Sequence, residues 1–195
     1  MYYKNIYGMN ISALGMGCMR FPTEEGKPDR IDREKAQKII DRAIELGVNY
    51  FDTAHLYQGG DSERFLGEAL SKYKRESYYL TSKFYAGNNI DIAKTFESQL
   101  ERCKTDYFDF YLMHDLNESH FIDYTDKDKN YLGYLKKQKE NGRIRHIGFS
   151  THASPEILRR FLDLNEGVFD AAMIQLNYID YTMLSAKEQY DILTE

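Results

Sequence analysis

Short apolar runs alternate with amphipathic stretches six times along this chain, and that alternation restricts the fold more than any other feature. Residues 13–19, 48–52, 77–83, 108–114, 144–150 and 171–175 read as strands, with no proline inside any of them. The segments between them carry helix signals. Asp32 is placed to cap a helix in which Ala36, Ile39, Ile40, Ala43 and Ile44 recur at helical spacing, with Gly47 as its stop. Asp61 or Ser62 caps a helix that buries Phe65, Leu66, Ala69 and Leu70, and Asp91 opens one striped with Ile92, Phe96 and Leu100. A helix over 131–139 stops at Asn141-Gly142. Ser154-Pro155-Glu156 is a serine cap followed by a proline whose missing N–H costs nothing there. A last helix begins over 186–193. Residues 2–11 read as a hairpin turning near Gly8-Met9-Asn10, and 115–129 as a long polar loop.

Repeated strand–helix units favour a parallel sheet covered by helices. A doubly wound sheet that binds a dinucleotide usually shows Gly-x-Gly-x-x-Gly after its first strand, and Gly15-Met16-Gly17-Cys18-Met19-Arg20 lacks the third glycine. A barrel instead gathers polar residues at the C-terminal ends of its strands. Strands two to six end here in Asp52, Lys83, His114, Ser150 and Gln175, and Tyr57 follows Asp52 closely. The expected fold class is therefore α/β: a parallel (β/α)8 barrel truncated to about six units, with an N-terminal β-hairpin, as a single partial domain over 1–195. A closed barrel takes about 250 residues, so the chain is expected to be a fragment of a longer protein. Its first and sixth strands would be open edges that invite self-association.

Composition excludes several classes. The net charge of −5 is scattered, without a long basic run, so nucleic-acid binding is not expected. No apolar stretch approaches the roughly 18 residues of a membrane span, and the N-terminus has no apolar signal core. Cys18 and Cys103 are the only cysteines; a reducing cytoplasm fits, and no metal-ligand spacing is present. With 17 tyrosines in the chain, Tyr57 has meaning only through its context. Taken singly, Asp52 also reads as a strand-end cap, Lys83 as a solvated charge and His114 as a structural histidine.

Longer motifs change that weighting. They are Leu14-Gly15-Met16-Gly17-Cys18-Met19-Arg20, Phe51-Asp52-Thr53-Ala54 through Tyr57 to Ser62-Glu63, and Leu66-Gly67-Glu68-Ala69-Leu70. Thr81-Ser82-Lys83, Thr105-Asp106-Tyr107-Phe108-Asp109 through His114, and Gly142-Arg143-Ile144-Arg145-His146-Ile147-Gly148-Phe149-Ser150 follow. In this order they resemble the aldo-keto reductases over nearly the whole chain. Tyr57-Gln58-Gly59-Gly60 with His114-Asp115-Leu116-Asn117 is similar to a bacterial and archaeal subgroup, whose full-length members often carry a C-terminal iron–sulfur segment.

The resemblance implies hydride transfer between a nicotinamide cofactor and the carbonyl of a small aldehyde or ketone. It implies a catalytic tetrad of Asp52, Tyr57, Lys83 and His114. Tyr57 would be the general acid; a free phenol, with a pKa of about 10, is a poor donor near neutrality, and a neighbouring ammonium favours its phenolate. Asp52 would hold Lys83, and His114 would align the carbonyl oxygen. Cofactor contacts would come from Cys18, Met19, Asp52, Ser150 and Gln175, with NADP(H) favoured over NAD(H). Thr151 stands where many members have asparagine. Two other readings compete: a reductase-like binding or regulatory module that binds nucleotide or a partner without turnover, and a barrel hydrolase using Asp52 and another carboxylate, which leaves Lys83 and Ser150 unexplained.

Overall fold

The computed structural model describes residues 1–87 and 90–195. Its contacts divide the chain into two compact units: 1–83 with 94–110, and 84–93 with 111–195.

The first unit opens with a hairpin, β1 (Tyr3–Ile6) and β2 (Met9–Ser12), paired antiparallel from Tyr3 opposite Ser12 to Ile6 opposite Met9. Its turn is Tyr7-Gly8, both at positive φ (52° and 80°), so the bend falls one residue earlier than Gly8-Met9-Asn10 suggests. The expected first strand over 13–19 shrinks to β3 (Met16–Gly17). That run is also not buried, since Leu14 is 62% exposed and only Cys18 lies inside. Two glycines leave it few side chains to bury, and Gly15 passes so close to Tyr50 that a Cβ there would stand 2.8 Å from the ring.

A second hairpin, β4 (Thr23–Glu24) and β5 (Lys27–Ile31), carries no strand signal because all of it except Ile31 is exposed or half-buried. α1 (Arg33–Glu45) begins as expected, with the Asp32 carboxylate accepting the Lys35 N–H. β6 (Tyr50–Asp52) lies parallel between β3 and β7 (Tyr79–Phe84), with Asp52 opposite Gly17 on one side and Thr81 on the other.

Between β6 and β7 stands α2 (Asp61–Leu70), and after β7 comes α3 (Ile92–Cys103). The cap of α2 differs from expectation. Gly60 holds that place in a left-handed conformation (φ 85°), and neither Asp61 nor Ser62 caps. Their side chains are engaged elsewhere: Asp61 with Arg33 and the Ile31 N–H, Ser62 with Thr53 and the Cys18 carbonyl. The helices bury the residues their periodicity selects, Phe65, Leu66, Ala69 and Leu70 from α2 and Phe96 and Leu100 from α3. Each such large apolar side chain contributes roughly 1.5–3 kcal/mol.

β8 (Phe108–Leu116) starts in the first unit and continues in the second from Tyr111. The second unit then adds α4 (Phe121–Thr125), a helix inside the expected loop, and α5 (Tyr131–Glu140). β9 (Ile144–Thr151) and α6 (Pro155–Leu164) follow, the Ser154 hydroxyl accepting from the Ile157 N–H. β10 (Ala171–Ile174) runs parallel to β9 with Ala171 opposite Gly148. α7 (Asp180–Met183) and α8 (Ala186–Thr194) close the chain. An aromatic cluster fixes this unit: Phe149 lies 5.3 Å from Phe161 and 4.9 Å from Phe169 between ring centroids. Among the described residues no helix is long and apolar enough to cross a membrane.

Candidate active site

Two strand ends and the loop after β6 meet in the first unit. β6 delivers Asp52 and β7 delivers Lys83, because successive parallel strands release their last side chains at the same end. Tyr57 opens a tight turn in which Gln58, Gly59 and Gly60 all have positive φ (50°, 61° and 85°), a reversal that two glycines make accessible.

Lys83 is only 1% exposed. Its Nζ donates to Asp52 Oδ1 at 2.6 Å, to the Thr53 carbonyl at 2.8 Å and to the Tyr57 hydroxyl oxygen at 3.2 Å. An ammonium has three donors and no acceptor. All three donors are used, and the phenol oxygen accepts, so the phenol proton is not the one spent on this contact. Burial pushes the Asp52 carboxyl above the usual carboxylate range, and the Lys83 charge pulls it partly back. Asp52 Oδ2 is buried without a hydrogen-bond partner among the described residues.

Beneath Lys83 lies a layer that the sequence reading missed. Glu63, fully buried, accepts from Ser82 and Gln99 at 2.6 Å each and from Arg102 Nε at 2.7 Å. Gln99 also donates to the Lys83 carbonyl at 3.1 Å, so the backbone that carries the lysine is tied to α2 and α3. His55 Nδ1 stands 3.2 Å from the same carbonyl. Since a carbonyl only accepts, Nδ1 carries the proton, and burial pulls His55 down. Glu63 and Ser82 do fall within the motifs quoted above, and Gln99 follows Phe96 by three residues on the buried stripe of α3.

The other expected residues are placed as follows. Cys18 is fully buried; its N–H donates to the Asp52 carbonyl at 2.8 Å, its Sγ–H to the Met16 carbonyl, and burial pushes its thiol up. Met19 is 51% exposed. His114 belongs to the second unit, where its carbonyl accepts from Tyr124 at 2.5 Å and its ring stands edge-on to Tyr85 at 6.2 Å. Ser150 Oγ accepts the Asp115 N–H at 2.9 Å, which leaves its own O–H to donate. Gln175 is exposed just past β10 and donates to Asp180 at 2.7 Å. It borders a cleft of about 370 Å³ lined also by Thr151, His152, Ser154 and Gln189. The structure thus joins Asp52, Tyr57 and Lys83 within one unit, while His114, Ser150 and Gln175 belong to the other.

The aldo/keto reductase family model matches residues 13–194. The chain is 32% identical over 186 residues to the uncharacterized oxidoreductase YqkF of Bacillus subtilis, covering 88% of this chain and 54% of that protein. A Glycine max relative is 30% identical over 164 residues, covering 78% of this chain and 45% of its own length. The chain therefore spans about half the length of these curated relatives. The holo form of an aldo-keto reductase from Bacillus halodurans superposes with a TM-score of 0.72 at 27% identity, over 97% of this chain and 64% of that one. A Klebsiella pneumoniae aldo-keto reductase solved with NADPH shares the fold with a TM-score of 0.67 at 23% identity, over 97% and 66% of the two chains. The chain belongs to the aldo/keto reductase family, a family of oxidoreductases, and its fold class is the truncated parallel (β/α)8 barrel that the alternation implies.

Proposed function

We propose that the protein reduces small aldehydes or ketones to alcohols with a nicotinamide cofactor, Tyr57 serving as the general acid. The observation that carries this reading is the buried Lys83 ammonium donating at once to Asp52 and to the Tyr57 oxygen. A positive charge at 3.2 Å stabilises the phenolate left when Tyr57 gives its proton to a developing alkoxide. Asp52 keeps that charge in place, and the Thr53 carbonyl completes its coordination. His114 is assigned the carbonyl oxygen by its place in the family motif.

The nicotinamide, when bound, supplies the hydride. Ser150 retains a donor and Gln175 an amide oxygen, a pair that fits a carboxamide. Cys18, Met19 and Asp52 are assigned to the cofactor on the family resemblance; Met19 is 51% exposed, and the Cys18 N–H donates to the Asp52 carbonyl. We assign NADP(H) in preference to NAD(H) on the family resemblance, and a cytoplasmic location on two buried, unbridged thiols. Self-association through the β10 edge belongs to the same proposal, since among the described residues β10 pairs with β9 alone.

The test is NADPH oxidation against a panel of simple aldehydes and ketones. Turnover of at least one carbonyl is expected. Saturable NADPH binding with no turnover of any carbonyl would place the chain instead among reductase-like binding modules.

A further inference from the structure

The buried polar layer beneath Lys83 does no chemistry of its own, and its members all lie in the first unit. At its centre is the Gln99 side-chain nitrogen. Three oxygens surround it: Glu63 Oε1 at 2.6 Å, Ser82 Oγ at 2.8 Å and the Lys83 carbonyl at 3.1 Å. Ser82 spends its own proton on Glu63 Oε1, also at 2.6 Å, so its oxygen is left to accept. All three neighbours are therefore acceptors, which fixes the amide with its NH2 group inward. Arg102 holds the far side of the carboxylate, giving Oε2 its Nε at 2.7 Å and its Nη2 at 2.6 Å.

Two close approaches lock this layer in place. Gly67 lets α2 lie backbone to backbone on α3, since a Cβ there would fall 2.3 Å from the Arg102 carbonyl oxygen. Glu63 precedes Gly67 by four residues and so faces α3 as well. Gly60, in the turn that carries Tyr57, packs over Arg102: a Cβ there would stand 3.7 Å from Arg102 Nε. The layer thus touches both members of the Lys83–Tyr57 contact, the lysine through its carbonyl and the tyrosine through its turn. Stability alone does not account for it, since apolar side chains of the same volume commonly match or exceed a buried ion pair. Apolar side chains could not orient the Gln99 amide.

We propose that Gln99 is a positioning residue: held by Glu63 and Arg102, it clamps the Lys83 carbonyl and thereby sets the distance from the Lys83 ammonium to the Tyr57 oxygen. This rests on the carbonyl-reductase reading. That distance, 3.2 Å, is the longest of the three that Lys83 Nζ makes and stands at the outer limit for a good N–H···O bond, whereas Asp52 at 2.6 Å is a charge-assisted partner. When the carbonyl slips, the lysine follows Asp52 and the tyrosine contact is lost first.

The experiment measures reduction of one simple aldehyde by NADPH in the wild-type chain, Gln99→Met, Tyr57→Phe and the double variant. Methionine keeps the length of the side chain and removes its donors. Gln99→Met lowers kcat about tenfold or more, with KM for the aldehyde and the NADPH dissociation constant within about twofold. The double variant is no slower than Tyr57→Phe alone, because the clamp acts through Tyr57. An unchanged kcat in Gln99→Met, or a full further loss on adding it to Tyr57→Phe, overturns the proposal. A second arm is independent of turnover. In NMR spectra of protein with isotope-labelled lysine nitrogens, the Lys83 ammonium, 1% exposed, gives a signal assigned by its loss in Lys83→Met, and Gln99→Met shifts it. If Gln99→Met does not fold, Gln99→Asn, whose amide stops one methylene short of the Lys83 carbonyl, takes its place in both arms. If the wild type reduces no carbonyl, the catalytic reading falls and the NMR arm decides; an unchanged Lys83 signal then overturns the clamp.

Discussion

Lys83 keeps a charge inside the protein because three acceptors meet its three N–H groups, and the arrangement depends on each of them. Replacing it with methionine removes the cation and leaves Asp52, 14% exposed and already pushed up by burial, without its partner. Breaking one side of a buried pair typically costs 3–5 kcal/mol, so Lys83→Met should lower the urea midpoint by about that much stability. Adding Asp52→Asn should restore part of it; an unchanged midpoint in the single variant would show the pair to be energetically idle. Asp52 and Lys83 were legible in the sequence because each is a polar residue ending an apolar run. Tyr57 was not legible from pattern, since it sits in a turn of a tyrosine-rich chain, and only the motif around it singled it out. Glu63 and Arg102 were hidden because helical periodicity sorts charged residues to the solvent side, and their burial depends on their meeting each other across two helices.

At the scale of elements, Asp61 links three pieces of chain. From the first turn of α2 it takes the Arg33 guanidinium at the start of α1, with one contact at 2.7 Å, and the Ile31 N–H at the end of β5 at 2.8 Å. Arg33 holds the Asp61 carboxyl below its ordinary value. A carboxylate depressed in the folded state adds stability above its unfolded pKa of about 3.9, and that stability is lost as pH falls through the lower folded value. Because Arg33 is 40% exposed, solvent screening limits the contribution to about 1 kcal/mol. Asp61→Asn should therefore be less stable than wild type near neutrality, with the difference shrinking below about pH 4 in acid titrations. A constant difference across that range would assign the role of Asp61 to packing. The same residue explains one misread boundary: engaged by Arg33, Asp61 does not cap α2, and Gly60 supplies the turn. Helices α2 and α3 were readable because each buries the stripe its periodicity selects, whereas the first strand, interrupted by two glycines, shrank to two residues. The β4–β5 hairpin was not, since strands exposed on both faces leave no alternation to detect.

At the scale of the whole molecule, the second unit exposes apolar side chains just past β10: Leu176 at 48%, Tyr178 at 90%, Ile179 at 55% and Met183 at 77%. In the proposed self-association these side chains, with a β10 edge paired only to β9 among the described residues, would form the contact. Sedimentation velocity should show a concentration-dependent rise in mass that Tyr178→Lys with Met183→Lys suppresses; a single mass at all concentrations would contradict it. In the proposed reaction the phenol beside the buried Lys83 ammonium is the proton donor. The most direct measurement is kcat for reduction of one simple aldehyde by wild type and by Tyr57→Phe, alongside the NADPH dissociation constant of each. Loss of a general acid predicts a fall in kcat of at least about 100-fold with NADPH affinity nearly unchanged. Equal kcat values in the two proteins would remove Tyr57 from the reaction.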